Sequence, residues 1–269
     1  MALSFCNGLG MKGVPVFFDK RNDKTSTVKL WKDSKEYFTN LLRFRTRLQN
    51  ENNKNKKIDQ YWKKNPNTWA KMYSTISPTT FFLRARYKKI LPFLRDVKGK
   101  KVLDVGCGNG VFMKEVIKRG GTVVGVDYSA DMLKEAAKEL ETYSPRSYQL
   151  LTANAVKLPF PKGSFDMLIA SGLTDYLSKE DDIKFLQETA RVLKPHGKAI
   201  ITFPKQDSPF EVLRNGFGLR LRKMFLSLPP IISSFSKEEV VTYFKKINFS
   251  VTHIDAVFLT MWIIVAEKG

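Results

Sequence analysis

The chain has 269 residues, 43% of them hydrophobic, enough for one large α/β domain with appendages. Its two cysteines, Cys6 and Cys107, argue against a disulfide scaffold or a zinc site and suit a reducing compartment, so no metal is expected. The net charge is +20, yet no stretch reaches the ~18 uninterrupted apolar residues of a membrane span.

The first residues lack a basic stretch followed by an apolar core, which predicts no secretory signal and a cytoplasmic protein. Residues 1–100 carry 23 Lys and Arg against 7 Asp and Glu, so the first hundred residues hold nearly all the positive field. Residues 1–57 read as a basic N-terminal extension, partly disordered or helical, with apolar residues at helical spacing over 30–49 and a polar run at 50–57. The remaining 58–269 read as one domain. It opens with aromatic-rich helices at 58–73 and 78–95, the second carrying Pro92, which ends or kinks it.

From Lys101 the pattern alternates strand, turn and helix. Strands are expected at 102–105, 122–126, 148–152, 165–170 and 198–203, with helices at 112–119, 130–140 and 183–193 between them. Ser129 is a candidate N-cap. A helix at 236–246 and strands at 249–257 and 259–266 close the chain. Such alternation implies a parallel sheet with right-handed crossovers and helices on both faces.

The chemistry concentrates at Val102-Leu103-Asp104-Val105-Gly106-Cys107-Gly108-Asn109-Gly110, a strand-to-helix turn where glycines allow a sharp bend and close approach of a ligand. Ligands of doubly wound sheets bind outside the carboxyl ends of the strands, where this turn falls. A dinucleotide loop would place its third glycine at Val111; here it comes one residue earlier, at Gly110. The next strand ends at Asp127, whose carboxylate can accept charge-assisted hydrogen bonds from both hydroxyls of a ribose. Asp104 either ties the loop amides together or meets a cofactor amine.

Four blocks in order resemble the class I S-adenosylmethionine-dependent methyltransferases: residues 102–110, then Val126-Asp127-Tyr128-Ser129-Ala130-Asp131-Met132-Leu133, then 154–166 from Asn154-Ala155 to Phe165-Asp166, then 188–197 from Glu188 to Gly197. The resemblance covers residues 80–269. It implies a Rossmann-like, seven-stranded, mostly parallel sheet carrying an N-terminal helical extension, with S-adenosylmethionine as cofactor. By position it implies Gly106, Cys107 and Gly108 at the methionine part, with Asp104 beside them, and Asp127 at the ribose. It further implies Tyr128 and Met132 at the adenine face, Asn154 and Ala155 at its edge, and Ser171 near the reacting centre. The chain departs from the family at Asn154, where many relatives carry aspartate, and at His196, where a second glycine is usual. His196 and His253 both read as structural.

Methyl transfer from a sulfonium is an in-line displacement, so the protein mainly supplies position and charge environment. Asp175 and Tyr176, just past the fourth strand, are the expected acceptor-side residues. Their plainer roles are capping the next helix and packing. No Asn/Asp-Pro-Pro-aromatic motif follows that strand, which argues against an adenine or glutamine amine as acceptor. Tyr61, Trp62 and Tyr73 are candidates for a lid. Residues 205–234, basic with an apolar face, read as a substrate-side insertion or a peripheral membrane contact. The expected activity is methylation of a small or lipid-like acceptor. The alternatives are an RNA methyltransferase guided by the basic N-terminal region and a non-catalytic binding protein.

Overall fold

The computed structural model describes residues 78–206, 208, 233–257 and 260–269. The expectations for residues 1–57 and 58–73, the candidate lid of Tyr61, Trp62 and Tyr73, and nearly all of the 205–234 insertion lie outside the described residues. Helix α1 (Pro78–Ile90) runs into a tight turn of 3-10 helix over Leu91–Leu94, as Pro92 requires. Then follow β1 (Lys101–Val105), α2 (Val111–Lys118), β2 (Thr122–Asp127), α3 (Ala130–Leu140), β3 (Tyr148–Thr152) and β4 (Phe165–Ala170). The chain closes with α4 (Lys179–Val192), β5 (Leu193–Pro204), α5 (Lys237–Lys246), β6 (Phe249–Val257) and β7 (Met261–Lys268).

The seven strands form one sheet in the order β3-β2-β1-β4-β5-β7-β6. β7 is antiparallel to both β5 and β6, and all the other pairs are parallel. Alternate strand residues go to opposite faces. Leu103, Val124, Leu168 and Ile201 pack against Phe185 of α4 and Phe244 of α5. Val102, Val123, Met167 and Ile200 pack against Met113 of α2, Leu133 of α3 and Ile90 of α1. Both faces are covered, which is why these strands read as apolar runs with no polar alternation.

Local chemistry sets the helix starts. Ser129 accepts a hydrogen bond from the Met132 amide, and Ser236 with Glu239 forms a reciprocal capping box. α4 begins four residues earlier than its apolar spacing suggests. Ser178 caps it, and Glu180, Asp181 and Asp182 fill the first turn, where the helix dipole favours acids. Ser178, not Asp175, is therefore the cap of this helix. β5 is longer than expected because Leu193 already pairs with Phe165. Within it His196 has φ 60°, in the left-handed region that favours glycine.

Gly125 in β2 shows how tightly α2 sits on the sheet. A Cβ there would lie 2.4 Å from Met113 Sδ and 3.0 Å from Cys107 Sγ. Gly125→Val should therefore destabilise the fold by ~1–3 kcal/mol through overpacking. Chemical denaturation of the two proteins checks this; equal midpoints would contradict the packing assigned to α2.

Candidate functional site

The turn from β1 into α2 is built by glycines in the left-handed region, with φ of 71° at Gly106, 55° at Gly108 and 78° at Gly110. Its amides are aimed at β2. Gly106 N and Cys107 N both donate to the Val126 carbonyl, at 2.8 and 3.1 Å. Gly108 N donates to Asp127 Oδ2 at 3.0 Å, and Ser129 N to Asp127 Oδ1 at 2.9 Å. Asp127 thus ties the tip of β2 to the glycine turn. Burial pushes its carboxyl up, and the amides of Ser129, Gly108 and Tyr128 oppose that shift.

Beside the turn lies a cavity of about 100 Å³. It brings together Asp104, Gly106, Cys107, Gly108, Asp127, Met132, Ser171 and Tyr176, eight of the residues singled out in the sequence. Tyr128, Asn154, Ala155 and Asp175 lie outside that lining. Tyr128 is exposed beyond the tip of β2. Asn154 Oδ1 accepts from the Val156 amide at 3.1 Å, which leaves it one lone pair. Cys107 is part of the core beside α2, its Sγ 3.9 Å from the Gly108 carbonyl, and burial pushes its thiol up.

Three buried polar atoms of the cavity wall have no hydrogen-bond partner among the described residues: Asp104 Oδ2, Ser171 Oγ and Arg86 Nε. The loop-tying role considered for Asp104 is filled by Asp127 and the Val126 carbonyl. Burial, with Asp127 next to it, pushes the Asp104 carboxyl up to about 8. The loop after β4 is fixed from β5: Gly172 N donates to Thr202 Oγ1 at 2.8 Å, and Thr174 Oγ1 donates to the Thr202 carbonyl at 2.6 Å.

Arg86 escaped the sequence reading, although a signal was present. It falls on the stripe of α1 that also carries Leu83 and Ile90, a charged residue among buried apolar ones. Asp182 escaped for the same reason. It is buried in α4, with burial the largest cause of a carboxyl pushed up to about 8; Asp175 and Asp181 add to the shift, and Ser233 and Lys179 oppose it. Ser233 Oγ lies 3.0 Å from the Leu177 carbonyl and 3.1 Å from Asp182 Oδ2. A hydroxyl carries one proton and a carbonyl only accepts. That single proton serves one of these two acceptors at a time, so Ser233 only partly offsets the burial of the Asp182 carboxyl.

A carboxyl raised in the folded state binds its proton more tightly there than in the unfolded chain. Its stabilisation is complete below the ordinary value of 3.8 and is lost as pH rises to about 8. Asp182→Asn, which removes the titrating group and keeps an acceptor for Ser233, should make the fall in stability between pH 5 and pH 8 shallower by up to about 1.4 kcal/mol per pH unit. Denaturation midpoints across that range measure it, and parallel slopes for the two proteins would rule out the neutral acid.

Residues 102–197 match the family model described as a methyltransferase domain. The demethylmenaquinone methyltransferase of Listeria welshimeri is 35% identical over 150 residues, covering 54% of this chain and 61% of the relative. That of Lactococcus lactis is 30% identical over 154 residues, 56% of this chain and 60% of the relative. The chain thus spans about three fifths of the length of these curated relatives. Among solved structures, magnesium protoporphyrin IX methyltransferase from Synechocystis PCC 6803 with bound S-adenosylhomocysteine superposes with a TM-score of 0.64 at 16% identity, over 80% of this chain and all of that one. A methyltransferase from Aquifex aeolicus gives 0.54 at 22% identity, over 74% and 98%. Residues 102–197 thus match a methyltransferase domain, the relatives it resembles are methyltransferases, and the solved structures share its Rossmann-like fold.

Proposed function

We propose that the protein transfers a methyl group from S-adenosylmethionine to a small or lipid-like acceptor by in-line displacement. The observation that carries this reading is the cavity beside the glycine turn, whose wall presents an oxygen of the Asp104 carboxyl, the Ser171 hydroxyl and Arg86 Nε without partners among the described residues. Buried polar groups left unpaired cost about 1–3 kcal/mol each, so a wall that keeps three of them is built for a polar ligand.

When bound, S-adenosylmethionine supplies an electrophilic methyl carbon next to a sulfonium. The chain's own residues hold and orient. Gly106 and Gly108 keep the turn free of side chains, and Asp127 stands at the tip of β2 to accept from ribose hydroxyls. Met132 is buried along the wall, while Tyr128, Asn154 and Ala155 stand further out, where they would flank the adenine. Ser171 and Tyr176 line the side from which an acceptor reaches the methyl group, with Asp175 beside them. The relatives are named for demethylmenaquinone and for magnesium protoporphyrin IX, both small acceptors, which favours this class over RNA. In this reading the enzyme works in the cytoplasm, peripheral to a membrane when the acceptor is lipid-like. Among the described residues no helix is long and apolar enough to cross a membrane.

Incubating the protein with methyl-labelled S-adenosylmethionine and a small-molecule extract, followed by mass spectrometry, should give a labelled low-mass product. Label appearing only in RNA would overturn the acceptor class, and no transfer to any fraction would overturn the activity.

Asp127→Ala removes an acceptor of charge-assisted bonds worth about 1.5–3 kcal/mol each. Calorimetry with S-adenosylhomocysteine should therefore show binding weakened ~10–100-fold. Unchanged affinity would refute the ribose assignment.

A further inference from the structure

Helix α1 carries four cations, Arg84, Arg86, Lys88 and Lys89, and no acid. The fold itself uses two of them. Arg86 is buried in the wall of the cavity, and Lys89 donates to Asp255 Oδ2 at 2.6 Å and to the Ala256 carbonyl at 2.7 Å. The other two share a face with an aromatic ring. Phe81, Arg84 and Lys88 follow one another at steps of three and four residues, which puts them on one side of the helix. That side is opposite the buried stripe of Leu83, Arg86 and Ile90. Phe81 keeps 58% of its surface exposed, Arg84 is half-buried and Lys88 is exposed. In sequence the positive sign extends upstream, where residues 1–77 carry 16 Lys and Arg against 6 Asp and Glu.

One exposed ring alone is ordinary on a protein surface. This one gains meaning from its company and its place. A ring flanked by cations, on a helix without acids, suits the surface of an anionic bilayer: the ring enters the head-group boundary and the cations stay with the lipid phosphates. The place follows from the direction of α1. Strand β6 runs the same way as β5, since both are antiparallel to β7. Lys89 meets Asp255 and Ala256 near the carboxyl end of β6, while the rings of Phe93 and His253 lie 4.9 Å apart further back along it. The N-terminal half of α1, with Phe81, therefore points to the carboxyl ends of the strands, where the cavity lies. The inner side of this helix lines the cavity through Arg86, and its outer side presents Phe81, Arg84 and Lys88, about 10 Å away across the helix.

We infer that the outward face of α1 docks on the surface of an anionic membrane and sets the cavity beside it. The inference rests on the lipid-like acceptor proposed above and gives that acceptor a point of entry, one helix width from the lipid.

Flotation of the full chain with vesicles of phosphatidylcholine, alone or in equal parts with phosphatidylglycerol, tests this at about 0.1 M salt, where surface charges act over roughly 10 Å. The wild type should bind the mixed vesicles about tenfold or more tightly than the neutral ones. Arg84→Gln with Lys88→Gln should weaken binding to the mixed vesicles about 25-fold, roughly fivefold for each charge. Phe81→Ser should weaken it about 5–10-fold, as expected for a ring that is partly buried on binding. Lys245→Gln with Lys246→Gln removes the same charge from exposed positions of α5, on the other face of the sheet, and should leave binding within about twofold of the wild type. All the variants should hold S-adenosylhomocysteine as the wild type does, which reports an intact cavity.

Equal losses from the α1 pair and the α5 pair would mean attraction by net charge alone and would overturn the surface. Failure of the wild type to bind the mixed vesicles, or unchanged binding of Phe81→Ser or of the α1 pair, overturns it as well. If the α1 pair loses a labelled single-stranded RNA and keeps the vesicles, the face belongs to nucleic acid and the membrane assignment falls. A methylated product found only among water-soluble molecules would overturn the lipid-like acceptor and leave the vesicle result, and with it the docking surface, in place.

Discussion

The carboxylate of Asp127 is the interaction on which the site depends. Its two oxygens accept from Gly108 N in the turn after β1 and from Ser129 N at the start of α3, so one side chain fixes the relative position of two loops. Both loops emerge from the carboxyl ends of adjacent parallel strands, paired from Lys101 with Thr122 to Val105 with Val126. Parallel pairing is what sets those ends side by side. An antiparallel pair would put the turn and the acid at opposite edges of the sheet.

A second constraint comes from charge in a dry place. Asp104, Arg86 and Ser171 each expose a polar atom to the same cavity without a partner among the described residues. Proteins satisfy buried polar groups nearly everywhere, and exceptions grouped on one wall mark where something else completes the set. Strength lost to the empty fold is recovered on binding, so stability and affinity are linked here. Asp182 is a further buried acid, outside the cavity lining. It is buried in α4, where Ser233 donates to Oδ2 and burial pushes the carboxyl up to about 8, while Oδ1 has no partner among the described residues.

The supporting structure is made of longer-range ties. Arg191 donates to the Phe160 and Leu158 carbonyls and pairs with Glu188, which accepts from the Leu158 amide. This clamp holds the segment after β3 that carries Asn154 and Ala155. Lys268 at the end of β7 donates to the Ala190 and Leu193 carbonyls and closes the C-terminal end of α4.

Much of this was legible in the residues alone. Alternating apolar strands and capped helices follow from local rules, so the order of elements, the glycine turn, Asp127 at the tip of its strand and Ser129 as a cap could all be read directly. Family blocks added the expected adenine-side and acceptor-side positions. What the sequence left open depended on which groups meet across the fold. The start of α4 was misjudged because Ser178 and three acids outweigh apolar spacing, and Asp175 lost its capping role with it. Asp104 could be given either a loop-tying or a ligand-facing role from its place in the chain; only packing put Asp127 on the loop amides and left Asp104 facing the cavity. Arg86, 18 residues before Asp104 in a helix that looked like ordinary cover, enters the site because α1 lays its apolar stripe across the end of the sheet beside Gly172 and Met261. Periodicity reveals which face of a helix is buried, whereas the partner of a buried charge is set by tertiary contacts that no local pattern encodes.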